Sequence, residues 1–422
     1  MKVLHLSTYD ARGGAARAAY RLHTGLRRLG YDSSMMVAHR GTTDPTVMAF
    51  KPSMDLSSRW RRRRHRRQIK RQLGPYRTSR PGGYELFSDD RSEYGADPLG
   101  QLPPCDVINL HWFAGFLDYR AFFSAVPRRT PVVWTLHDMS AFTGGCHYDH
   151  DCGRYSDRCG ACPQLGSSNP ADLSYHIWRR KREIFEHVEP SRLHIVAPSR
   201  WLAEETKRST VLYERFPVSA IPNSIDTEDF APRDRRSARS VLGIPQHAKV
   251  VFFSAAEMDN RRKGFALLAQ ALIGLADLGD LFLISLGRRE MSVGAQIPHL
   301  HLGSIDSDRL LSVLYSAADL FVIPSLQDNL PNSVLEAMAC GTPVVGFAVG
   351  GIPEMVRTDI TGLLALPQDV VSLRAAILQV LADPATQARM AANCRRIAVE
   401  EYALEVQARR YAGLYESILG CC

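Results

Sequence analysis

Residues able to do chemistry gather at a few points of the chain, each just after a short apolar run. The richest stretch is PSLQDNLPNSVLEAMACGTPVVGFAVGGIPEMV, residues 324–356. Asp328 lies in its loop, and Glu336 follows eight positions later, in the first turns of an expected helix. A carboxylate so placed can accept a pair of hydrogen bonds from vicinal hydroxyls, while the helix N-terminus presents positive potential to a phosphate. That combination suits a nucleotide sugar; stabilisation of the helix dipole is the plainer account of Glu336 taken alone. Gly350 and Gly351, ahead of Pro353 and Glu354, mark a second tight strand-to-helix turn. Lys263, in NRRKGF beside Gly264, reads as a phosphate clamp or as a solvated loop charge. Gly13 and Gly14 follow the first strand, where backbone N–H groups can approach a diphosphate, or simply turn the chain. His137 ends the run VVWTLHD, and a single histidine there is as readily structural as functional.

A second constellation is thiol. Cys146, Cys152, Cys159 and Cys162 fall within seventeen residues, the last two separated by the two residues usual in a chelating knuckle. In a chain read as cytosolic, such a cluster suggests metal before disulfide. Structural zinc is the favoured reading; a disulfide or free thiols, and an iron–sulfur cluster, stay open. His147 and His150 are candidate replacements for one sulfur. Four thiolates would leave no coordination position for catalysis.

The elements that must position these residues alternate. MKVLHLST is a strand pattern, broken at Asp10, Gly13 and Gly14, after which AARAAYRLHTGLRRLGY runs with helical spacing to Gly30. Further strands are expected at MMVAH, DVINLHW, PVVWTLHD and LHIVAPS. The alternation restarts after IPNSIDTEDFAPRD, a polar, proline-containing linker at 221–234, with KVVFFSA, LFLISLG, LFVIPS and intervening helices. Strands alternating with helices imply parallel sheets covered on both faces, and ligands bind such sheets at the carboxyl ends of the strands. The expectation is two α/β domains, 1–220 and 221–404, with a cleft between them and a last helical stretch from 405 to 422.

The chain has 422 residues, 45% hydrophobic and 23% charged, enough for two full cores and unlike a disordered protein. Its net charge of +8 is local: nine basic residues and no acid lie in RWRRRRHRRQIKR, 59–71, and the remainder carries −1. The run reads as a solvated loop or as a segment attracted to an anionic membrane surface, the latter preferred. Leu56, Trp60, Ile69 and Leu73 do not share one helical face, which argues against deep insertion. A zinc-containing, basic nucleic-acid binder is the rival from another class, but it leaves the other motifs unexplained, so no nucleic-acid partner is expected. No run reaches the 18 apolar residues of a membrane span, and MKVLHLSTYD is too short for a secretory core, so a cytoplasmic protein, soluble or peripheral at the membrane, is expected.

Taken in order, Gly13-Gly14, TLHD, IPNSID, RKGF, PSLQDNLPNSVLEAMACGTPVV and GGIPE resemble the family 4 retaining glycosyltransferases of the GT-B fold. The resemblance implies two Rossmann-like domains facing a cleft. The amino domain would take the acceptor and the carboxyl domain the nucleotide-sugar donor, a UDP- or GDP-sugar, with the last helix crossing back to the amino domain. By motif match Glu336 would hold the ribose hydroxyls, Asp328 hydroxyls of the transferred sugar, and the backbone amides of Asn329 and Leu330 the same sugar. Lys263 would stabilise the leaving diphosphate with Gly14 nearby, and His137 would lie close to the donor sugar. The resemblance further implies no catalytic cofactor, and a saccharide or lipid-linked acceptor in surface polysaccharide assembly. A sugar-nucleotide epimerase or a phosphorylase of the same fold is the alternative. Two departures stand out. Asp328 replaces the family's usual glutamate, and Met258 or Glu257 stands where a second phosphate-binding arginine is usual, so Arg261 or Arg262 becomes its candidate substitute.

Overall fold

The computed structural model describes residues 1–212, 214–290, 293–294 and 296–420; Cys421 and Cys422, which close the stretch assigned to the last helix, lie outside the described residues. The chain divides into two compact units, one of Met1–Pro222 together with the segment from Gln407, the other Asn223–Val406.

In the first unit the described strands are β1 (Lys2–Tyr9), β2 (Asp32–His39), β3 (Val47–Ala49), β4 (Val107–Leu110), β5 (Val132–Thr135), β6 (Leu193–Ala197) and β7 (Val218–Ala220). They form one parallel sheet in the order β3-β2-β1-β4-β5-β6-β7. Helices α1 (Gly14–Arg28), α2 (Leu56–Leu73), α3 (Tyr119–Ala125), α4 (Leu173–Glu186) and α5 (Arg200–Arg208) lie between strands. Six consecutive residues of β1 and all four of β4 and of β5 are buried, as expected of strands covered on both faces, with the polar His5, Ser7, Thr8, Asn109 and Thr135 buried among the apolar ones. Helix α1 buries Ala16, Ala19, Leu22 and Leu26, one stripe at helical spacing.

In the second unit β8 (Lys249–Ser254), β9 (Leu281–Leu286), β10 (His299–His301), β11 (Leu320–Ile323), β12 (Val344–Phe347) and β13 (Gly362–Ala365) pair in parallel in the order β10-β9-β8-β11-β12-β13. Helices α6 (Arg235–Val241), α7 (Phe265–Ile273), α8 (Asp308–Ala317), α9 (Asn332–Ala339), α10 (Ile352–Met355), α11 (Val370–Ala382) and α12 (Pro384–Tyr402) accompany them. In each sheet the chain runs outward in one direction, returns to the middle, and runs out the other way. The switch point lies between β1 and β4 in the first unit and between β8 and β11 in the second, where open sheets of this kind hold ligands.

The final helix, α13 (Leu404–Leu419), packs its residues from Ala408 onward on the first sheet. Tyr411 and Tyr415 are fully buried beside Val107, Val133 and Val196, each worth about 2 kcal/mol of apolar burial. Their hydroxyls are satisfied: Asn109 Nδ2 donates to Tyr415 at 2.7 Å, and the Tyr411 and Thr135 hydroxyls meet at 2.9 Å. The helix therefore docks by apolar area and is held in register by two polar contacts.

Candidate functional site

The loops after β8, β11 and β12 in the second unit bring together residues that are far apart in sequence. Lys263 Nζ lies 2.6 Å from Asp328 Oδ2, and Arg262 Nη1 lies 3.0 Å from the same oxygen. Ser325 Oγ donates to it at 3.2 Å, and Arg262 Nη1 also donates to the Gln327 carbonyl at 2.7 Å. Burial alone would raise the Asp328 pKa, but the Lys263 and Arg262 charges outweigh it and hold the carboxyl down at about 2. Two cations and an ionised carboxylate thus sit at the carboxyl end of the switch-point strands. Arg262 is buried and Arg261 exposed, so the residue facing the acidic loop is Arg262.

Two glycines let the three loops interlock. Gly264 ends the Arg261–Lys263 turn at φ +67, and a Cβ there would stand 1.8 Å from the Pro324 carbonyl oxygen. Gly350, at φ +56, would put a Cβ 1.9 Å from the Asp328 carbonyl oxygen, while Gly351 N–H donates to that oxygen at 3.0 Å. Both sites need a residue without a side chain, for backbone conformation and for space. Asn329 and Leu330 are buried in this knot; Asn329 N–H donates to Asp328 Oδ1 at 3.1 Å, and the Leu330 carbonyl accepts from Asn223 Nδ2 at 3.3 Å.

Glu336 is the fifth residue of α9 and is buried. Tyr315 donates to its Oε2 at 3.1 Å. The sequence pattern did not reveal Tyr315 or Ser325: each is a polar contact from a residue that reads as core or loop.

The first unit has its own cluster at the carboxyl ends of its strands. Gly13 caps α1 without a side chain, and Gly14 is the helix's first residue; both are exposed. Asp10, which the sequence marks only as the end of a strand, is buried and accepts from Gly41 N–H at 2.7 Å, Thr42 N–H at 2.9 Å and Thr42 Oγ1 at 2.8 Å. Burial would raise its pKa, but those donors hold it below the ordinary value. His137 Nε2 lies 3.1 Å from His111 Nδ1, and His111 Nε2 lies 2.9 Å from His5 Nδ1. Burial pushes His137 down to about 4, so it is neutral at pH 7. A cavity of about 20 Å³, room for one water, lies against His111, His137, Asp138, Tyr119 and Lys181.

Cys146, Cys152, Cys159 and Cys162 are free thiols, and among the described residues no group of three or more His, Cys, Asp or Glu side chains is placed to hold a metal ion. The four thiols stand near enough for their charges to interact, and two of the sulfurs accept backbone hydrogen bonds. Cys159 accepts from the Gly144 N–H, and Cys162 from the N–H groups of Leu165 and Gln164. Burial pushes the Cys159 thiol up to about 12 and raises Cys146 and Cys162 as well. The two histidines considered as ligands are engaged elsewhere: His147 Nδ1 pairs with Asp138 at 2.6 Å and its Nε2 with Ser88 at 2.7 Å, while His150 Nε2 pairs with Glu85 at 2.9 Å.

The sequence profile of Glycosyltransferase Family 4 matches residues 12–229, more than half of the chain, and that of Glycosyl transferases group 1 matches 248–383. The chain belongs to glycosyltransferase family 4. A D-inositol 3-phosphate glycosyltransferase of Mycobacterium tuberculosis is 31% identical over 222 residues, 47% of this chain and 45% of that protein. One from Mycobacterium avium is 31% identical over 185 residues, 40% of this chain and 42% of the relative. The matched part thus spans less than half the length of these relatives. Among solved structures, sucrose-phosphate synthase from Thermosynechococcus elongatus aligns with a TM-score of 0.66 at 20% identity over the whole of both chains. Anabaena Alr3699/HepE in complex with UDP and glucose aligns at 0.64 and 17%, covering 99% of this chain and 100% of that one. These likenesses establish the GT-B fold, two Rossmann-like units, for the family 4 chain. Among the described residues no helix is long and apolar enough to cross a membrane.

Proposed function

We propose that this family member is a retaining glycosyltransferase that moves a sugar from a nucleotide-sugar donor to a saccharide or lipid-linked saccharide acceptor in surface polysaccharide assembly. The observation that carries this reading is the cluster of Lys263, Arg262 and Asp328 at the switch point of the second sheet, followed by buried Glu336 on α9. Glu336 would accept the ribose hydroxyls, and Asp328, with the amides of Asn329 and Leu330, would hold the sugar. Lys263 would move from Asp328 to the diphosphate and stabilise the charge that develops as the anomeric C–O bond breaks. The acceptor hydroxyl would attack from the face the diphosphate leaves, and a leaving phosphate oxygen would take its proton. No second enzymic carboxylate of the hydrolase kind is required. The UDP and glucose held by the Anabaena neighbour favour UDP-sugars as the first donors to test.

A panel of UDP- and GDP-sugars, read by thermal shift and then by the anomeric configuration of the product, tests the reading; inverted product or no transfer refutes it. Lys263→Ala is expected to lower turnover by about a hundredfold or more in a chain that still folds, with melting lowered only by the loss of the Asp328 ion pair. Near-normal turnover would remove Lys263 from the mechanism.

The basic run supports a peripheral membrane role on the cytoplasmic face. It forms α2, capped by Asp55, which accepts from Ser58 N–H at 2.8 Å. Ser58 is its one buried residue among those described, and Trp60 and Leu56 are 62% and 83% exposed. Anionic lipid attracts each basic residue near it by about 1 kcal/mol. Co-sedimentation with acidic but not neutral vesicles, lost when the arginines of 59–71 become glutamine, is the expected result. The four cysteines enter the proposal as a structural zinc site, supported by their spacing, by the mutual influence of their charges and by the N–H donors to Cys159 and Cys162. One zinc per purified chain, lost in Cys159→Ser, supports this, and its absence ends it.

A further inference from the structure

Three histidines on adjacent strands of the first sheet form a hydrogen-bonded row. His5 lies within β1, His111 just after β4 and His137 just after β5, with contacts of 2.9 and 3.1 Å along the row. Burial lowers the pKa of all three, His5 and His111 well below the ordinary value and His137 to about 4, so each ring is neutral and carries one proton. Neutral rings in a row allow two arrangements. With protons directed toward His5, His137 and His111 carry theirs on Nε2, and His5, accepting at Nδ1, must carry its own on Nε2. With protons directed toward His137, every ring carries its proton on Nδ1, and Nε2 of His5 is a bare lone pair.

The blind end decides between them. His5 is fully buried, and its Nε2 has no hydrogen-bond partner among the described residues. His23, edge-on at 5.8 Å, has its own nitrogens engaged by Ser33 and Thr46. The first arrangement strands an N–H donor in the core; the second strands only an acceptor, and orphaned buried N–H groups are the rarer of the two. We propose that His5 and His111 are positioning residues that fix His137 as the Nδ1–H tautomer. His137 then gives out a hydrogen bond from Nδ1 and has no lone pair there to take a proton. Resting on the transferase reading, this makes His137 a hydrogen-bond donor to substrate oxygen rather than a general base.

Two-bond 1H–15N correlation spectra of the full chain labelled in histidine test this directly. The expected result at pH 7 is a proton on Nδ1 of His5, His111 and His137. Asn reproduces the Nδ1–H donor of a histidine and Gln does not. His111→Asn should therefore keep the His137 pattern, and His111→Leu should shift it toward the Nε2–H form that free imidazole prefers. A proton on Nε2 of His137 in the native chain, or an unchanged pattern in a folded His111→Leu, overturns the proposal. If His111→Leu does not fold, the native spectrum decides alone. In the transfer assay His137→Asn should retain roughly tenfold more turnover than His137→Gln, the value of one hydrogen bond. The spectra stand whether or not transfer is found, so failure of the tautomer and failure of the transferase reading are distinguishable.

Discussion

Replacing Asp328 with asparagine keeps the shape of the side chain and removes the charge that Lys263 and Arg262 share. The folded chain holds this carboxyl at about 2, against an ordinary 3.8. At about 1.4 kcal/mol per pH unit, that gap gives on the order of 2 kcal/mol of stability. A depressed pKa means that the unfolded chain binds the proton more readily. The contribution is therefore complete above pH 3.8 and is lost as pH falls toward 2. The variant also leaves Arg262, 7% exposed, without its counter-charge, which pushes the loss higher, while water around Lys263, 23% exposed, takes up part of it. The estimate of about 2 kcal/mol corresponds to a melting temperature lower by roughly 4–8 °C at pH 7 for a unit of this size. Scanning calorimetry of both proteins from pH 7 to 2 should show that gap closing as the native carboxyl takes its proton. UDP should narrow the gap at pH 7, because a diphosphate supplies the missing negative charge. Equal melting at pH 7, or a gap that persists unchanged to pH 2, would refute the assignment of Asp328 as the ionised partner of both cations.

Gly350→Ala should destabilise the second unit by about 1–3 kcal/mol and abolish the nucleotide-induced thermal shift, since its Cβ would strike the Asp328 carbonyl oxygen; binding calorimetry with UDP checks the second effect. Tyr415→Phe should lower unfolding stability by about 1–3 kcal/mol, because Asn109 Nδ2 would lose its acceptor in the core; chemical denaturation measures it.

The alternation of strands and helices is readable because parallel strands covered on both faces are mostly apolar, as VINL and VVWT are with Asn109 and Thr135 their single polar residues. Helix α2 was not. A helix that buries only Ser58 has no apolar stripe, so periodicity gives no signal, and its evidence is local: Asp55 as cap, followed by an arginine-rich run with no glycine or proline before Gly74. The docking of α13 was likewise open from pattern alone, since an amphipathic helix shows that it has a buried face but not which sheet covers it. What selects the first sheet is the match of Tyr411 and Tyr415 to Thr135 and Asn109, hydroxyl to polar side chain, across more than 270 positions.

The same limit divides the candidate site. Lys263, Asp328 and Glu336 could be singled out because strand ends are where such sheets work, and each residue lies a fixed step from a glycine or a helix start. Their mutual arrangement could not, because it depends on three loops meeting. Arg262 rather than Arg261 faces Asp328 because the turn ending at Gly264 buries one and exposes the other, a matter of a single residue's rotation. His147 shows the reverse case. Beside Cys146 in sequence it reads as a spare metal ligand, yet in space its Nδ1 holds Asp138, the last residue of TLHD, and its Nε2 pairs with Ser88. His5 and His111 carry no sequence signal for a related reason: a histidine inside a mostly apolar strand looks like an isolated polar exception, and only the register of β1, β4 and β5 shows three of them in line. Motif spacing thus identifies which residues reach the carboxyl end of a sheet, whereas their protonation and pairing are set largely by partners distant in sequence, as far as 106 positions away.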